Sequence, residues 1–77
     1  MQRAQYVVVI KNGTWQIAFD GEHYGPYATQ RDATRAAVDA AHRCGEQGVD
    51  AQVLIQAADN KFRTEWTYGR DPYPPRR

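Results

Sequence analysis

Two stretches that alternate apolar and polar residues, each folded back on itself by a turn, flank one stretch of helical periodicity. Residues 6–11, YVVVIK, form a β-branched run of strand length, and residues 14–20, TWQIAFD, alternate apolar and polar. Asn12-Gly13 lies between them, and this pair favours the positive φ that a two-residue hairpin turn needs at both central positions. That turn predicts the register. Lys11 faces Thr14, Ile10 faces Trp15, Val8 faces Ile17 and Tyr6 faces Phe19, which puts six apolar side chains on one face. The opposite face carries Gln5, Val7, Val9, Gln16, Ala18 and Asp20.

Residues 51–57, AQVLIQA, and 62–68, FRTEWTY, repeat the device around Asp59-Asn60. With Ala58 opposite Lys61, the expected pairs are Ala57 with Phe62, Ile55 with Thr64, Val53 with Trp66 and Ala51 with Tyr68. Gln52, Leu54, Gln56, Arg63, Glu65 and Thr67 then face the other way. Between the hairpins, Thr29 is an N-cap residue and Asp32 stands three positions on, where a capping box places its acidic partner. Ala33, Ala36, Ala37, Ala40, Ala41 and Cys44 recur on one helical face, which predicts a helix over residues 30–44, stopped by Gly45 or Gly48. An alanine face lets a helix sit close to a sheet whose aromatic residues supply the bulk. The expected fold is α+β: ββαββ, a four-stranded antiparallel sheet of two hairpins with one Ala-faced helix on one side. Residues 1–69 form the domain and 70–77 a proline-rich C-terminal tail. The order of the hairpins in the sheet is not readable.

Composition narrows the class. A chain of 77 residues fits one domain, and 42% apolar with 25% charged residues suits a folded one. A single cysteine allows no internal disulfide. No apolar run approaches the ~18 residues of a membrane span, and no signal peptide opens the sequence, so a cytoplasmic protein is expected. The net charge of +1 gives no general reason to expect a nucleic-acid or membrane-surface binder.

Chemistry-bearing residues are sparse. The chain has no serine, so serine nucleophile chemistry is excluded. His42 and Cys44 are two apart on the predicted helix and point away from each other, so they do not share a metal. No catalytic constellation, metal site or cofactor site is expected, and the chain is read as no enzyme. Residues 21–28, GEHYGPYA, form the longest irregular stretch before the helix, where His23, Tyr24 and Tyr27 either line a ligand contact or close the end of the core.

Two functional readings remain. In the first, the chain is a non-catalytic binding or assembly module, possible as a homodimer, using Val7, Val9 and Leu54 on the outer sheet face and Tyr73, Arg76 and Arg77 of the tail. The competing reading is a terminal segment that caps the sheet edge or frays. In the second, Arg31, Arg35, Arg43 and Arg70, with the tail arginines, contact nucleic-acid phosphates, although Asp32 and Asp39 interrupt the helical stripe.

The strand-turn-strand YVVVIKNGTWQIAFDG, the Thr-capped Ala-rich helix in YATQRDATRAAVDAAHRCGEQG and the closing Tyr68-Gly69-Arg70-Asp71-Pro72-Tyr73-Pro74-Pro75 resemble the small bacterial domain-of-unknown-function family 2188. The chain departs from that pattern with Asp59-Asn60 in place of Asp-Gly and with the extra Gly25-Pro26 pair. The resemblance implies an architecture and no activity.

Overall fold

The computed structural model describes residues 3–56, 59 and 61–74. Strands β1 (Arg3–Lys11) and β2 (Thr14–Phe19) form the expected first hairpin. Asn12 and Gly13 take φ of 53° and 79°, and Lys11 pairs with Thr14, Ile10 with Trp15 and Val8 with Ile17. The rings of Tyr6 and Phe19 stack at 4.1 Å.

A third strand, β3 (Glu22–Tyr27), pairs antiparallel with β2 where an irregular stretch was expected. Its turn is Asp20-Gly21, with φ of 52° and 80°, a second pair in the conformation of Asn12-Gly13. Assigning Asp20 to the end of the strand hid that turn, and the Gly25-Pro26 pair broke the alternation that would have marked β3.

The helix α1 (Gln30–Glu46) follows, then β4 (Asp50–Gln56) and β5 (Phe62–Thr67). The expected four-stranded antiparallel sheet is therefore corrected to a five-stranded mixed sheet, ordered β3-β2-β1-β4-β5. The extra strand is the physical reason. After three strands the chain stands at the far end of the sheet from Arg3. The 17 residues of α1, at a rise of ~1.5 Å each, carry it back across the sheet's height. β4 then starts with Asp50 opposite Arg3 and runs parallel to β1. With only two strands before the helix, β4 would have run the other way.

The β4–β5 hairpin has the predicted pairing of Val53 with Trp66, but Leu54 pairs with Thr64, so Glu65 is an extra residue. An added residue moves every side chain beyond it to the other face. Ile55 consequently meets Arg63 rather than Thr64, and Phe62 meets Gln56 and lies 57% exposed. The expected pairs of Ala57 and Ala58, and Asn60 of the turn, lie outside the described residues.

Small residues on the helix meet large ones on the sheet, as expected. Thr29 caps α1 by accepting the Asp32 N–H at 3.0 Å. Ala33, Ala37, Val38 and Ala41 are buried against Tyr6, Val8, Ile17, Val53 and Trp66. Ala36, Ala40 and Cys44 flank this stripe and are partly buried. The helix runs two residues past its expected end: Gly48, with φ of 90°, follows the stop, while Gly45 is buried within the helix against Tyr68.

Candidate functional site

The alternation that buries Tyr6 and Val8 turns Val7 and Val9 to the opposite face of the sheet. Val7 lies between Ala18 on β2 and Leu54 on β4, so Val7, Val9 and Leu54, three of the six residues expected to meet a partner, share one face. Among the described residues, α1 packs on one face of the sheet and no element covers the other. Gln5 and Gln52, joined at 3.3 Å, with Gln16 and Gln56 surround this apolar centre. Phe62, missed because the register shift could not be read from alternation, belongs to the same face. Charged residues on β1 and β4 stand at its ends: Arg3 beside Asp50, and Lys11 at the turn.

The arginines are dispersed. Arg31, Arg35 and Arg43 are exposed on α1, the first and last ~18 Å apart along its axis at ~1.5 Å per residue. Asp39 sits one turn from both Arg35 and Arg43. Arg70 is exposed in the turn after β5. Arg76 and Arg77 lie outside the described residues.

His23 points away from Tyr24 and Tyr27, because successive strand residues point to opposite faces and the two tyrosines stand opposite Ile17 and Trp15, which share the other face. His23 pairs with Ala18, Tyr24 with Ile17 and Tyr27 with Trp15. The charge of Glu22, which accepts the Tyr24 hydroxyl at 3.3 Å, pushes that phenol up from its ordinary pKa.

The segment after β5 folds back on α1. Asp71 Oδ2 accepts the Thr67 N–H at 2.8 Å, and the Arg70 and Asp71 N–H groups donate to Thr67 O. Pro72 O accepts the Trp66 indole N–H at 2.8 Å. The Tyr73 ring then stacks on His42, with centroids 3.7 Å apart and planes 11° apart, while its hydroxyl donates to Asp39 Oδ1 at 2.8 Å. That hydrogen bond raises the Tyr73 pKa. Trp66 meets Tyr73 and Tyr68 edge-on. Tyr73, expected as an anchor on a partner, is thus seated on its own helix.

A cleft of about 530 Å³ opens between the start of β1 and the end of α1, with Arg3, Gln5, Phe19, Asp20 and Cys44 along it. Beside it, Tyr6 OH and Cys44 Sγ lie 3.1 Å apart. Burial first, and the contact with Cys44 second, push the Tyr6 phenol up to about 12. A raised phenol pKa means that the unfolded chain ionises first. The stability this residue contributes is therefore complete below pH ~10 and lost as pH rises from there through about 12. Absorbance titration of the phenolates is expected to show a transition near pH 12 that Tyr6→Phe removes; an unchanged curve in that variant would refute the assignment.

No group of three or more His, Cys, Asp or Glu side chains that could hold a metal occurs among the described residues, and no helix there is long and apolar enough to cross a membrane. Residues 5–68 match the model of a family described as an uncharacterized protein conserved in bacteria (DUF2188). No curated protein and no solved structure matches the chain.

Proposed function

The chain belongs to this bacterial family, DUF2188, and we propose that it serves as a non-catalytic assembly module that forms a homodimer through the outer face of its sheet. The observation that carries this reading is the apolar centre of Val7, Val9, Ala18 and Leu54 on a face left open by the described elements. A second copy is the occupant that suits it best. The centre holds no charge, so laying it on itself desolvates no ion, and the surrounding glutamines supply both donors and acceptors.

Size agrees with this occupant. Five strands at ~4.8 Å spacing and about six residues at ~3.3 Å give a footprint near 480 Å² per copy, or about 1,000 Å² for the pair. That is the size of a weak, concentration-dependent interface. Pairing through the sheet edges is disfavoured, since Pro26 interrupts the donors of β3 and Asp71 occupies the Thr67 N–H on β5.

Sedimentation equilibrium tests the reading. The wild-type chain is expected to behave as a concentration-dependent dimer, and Leu54→Lys, which plants a charge in the apolar centre, to shift it to monomer with its circular dichroism unchanged. A wild-type monomer at high concentration, or a dimer indifferent to Leu54→Lys, would overturn it.

A further inference from the structure

The docked tail lies in a groove separate from the outer sheet face. Trp66, His42 and Asp39 form that groove, and none of the three belongs to the outer sheet face. Each gives a contact of a kind that also joins separate chains: an indole N–H to the Pro72 carbonyl at 2.8 Å, a ring stacked on Tyr73 at 3.7 Å, and a carboxylate accepting the Tyr73 hydroxyl at 2.8 Å. The prolines on either side of Tyr73 restrict the backbone, which lowers the entropy lost on docking. Tyr73 itself is 44% exposed and lies outside the core cluster, so its departure empties no core position.

From this geometry we infer that the Trp66–His42–Asp39 groove is a peptide-binding site for a Pro-Tyr-Pro segment carried by another protein, held in cis by the chain's own Pro72-Tyr73-Pro74. The turn over Gly69–Asp71 is the tether. Gly69 has φ of 86°, and Asp71 fastens the turn through the Thr67 N–H. A tether this short keeps the tail at an effective concentration of about 1 mM or more, so an external segment of equal fit competes poorly until the tail is loosened.

The test uses the full chain and a fluorescein-labelled peptide of residues 69–74, GRDPYP, followed by fluorescence anisotropy. Tyr73→Ala removes the occupant's anchor and leaves the groove intact. It is expected to bind the peptide about tenfold or more tightly than wild type does. His42→Ala added to Tyr73→Ala is expected to lose that gain, as is a peptide with alanine for tyrosine. Where Tyr73→Ala does not fold, Asp71→Ala replaces it, loosening the tether alone. No binding by a folded, loosened variant up to about 1 mM peptide, or equal binding by wild type and variant, would overturn the inference. A wild-type dimer that Tyr73→Ala dissociates would overturn it too, assigning the groove to the tail of a second copy. Leu54→Lys, which addresses the sheet face, is expected to leave peptide binding unchanged.

Discussion

Trp66→Ala is expected to destabilise the fold by about 3–5 kcal/mol, the usual loss when a large buried aromatic is truncated. At roughly 0.05–0.15 kcal/mol per residue, a chain of 77 residues holds only about 4–12 kcal/mol in all. Trp66 is 2% exposed and stands opposite Val53 in the core. Its indole N–H also fixes Pro72, and its ring meets Tyr68 and Tyr73 edge-on. The truncation therefore opens a cavity and unfastens the tail together. Trp66→Phe retains most of the ring and loses the hydrogen bond, for which about 1 kcal/mol beyond the repacking loss is expected. Urea denaturation followed by circular dichroism separates the cases. A midpoint for Trp66→Ala close to that of wild type would contradict this packing.

Gly45→Ala is the second large effect, and its sign is the informative part. Within a helix, glycine to alanine ordinarily gains up to about 1 kcal/mol. Here a Cβ on Gly45 would overlap the near side of the Tyr68 ring, which is not a freely moving end. Overpacking of this kind costs about 1–3 kcal/mol, so a net loss is expected. Each kcal/mol lowers the Tm of a domain this size by roughly 4–8 °C. In a Tyr68→Ala background the same change is expected to become neutral or stabilising, which a double-mutant cycle measures. A higher Tm for Gly45→Ala alone would show that the helix does not approach Tyr68, just past β5, so closely.

What could be read from sequence was what local rules determine. Asn12-Gly13 and the residues around it set a register that the fold keeps, and Thr29 caps α1 where its spacing with Asp32 indicated. Errors came where one added residue changed everything after it. Glu65 displaced Phe62 from the core face to the outer one, and nothing in an alternating run marks where such an insertion falls. β3 carries no buried residue to reveal its alternation, and its presence alone reversed β4 relative to β1. Asp20-Gly21 was the one local signal that announced it.

The candidate surfaces divide in the same way. Val7, Val9 and Leu54 needed only strand alternation to be placed on one face, although their adjacency depends on the β1–β4 pairing. The groove around His42 was not legible, because it joins α1, β5 and the tail through contacts such as Tyr73 to Asp39, 34 residues apart. Gly45 suggested a helix stop by type, whereas its position against Tyr68 follows from how closely α1 lies on the sheet.

The central claim is that two copies meet through the outer sheet face, and an isotope-filtered NMR experiment sees that face directly. A mixture of methyl-labelled and unlabelled chains reports only contacts that cross between copies. Cross-chain contacts are expected at the methyl groups of Val7, Val9 and Leu54 and to be absent at the core residues Val38 and Val53. A spectrum with no cross-chain contact at those three residues, at a concentration where sedimentation finds a dimer, would contradict the account.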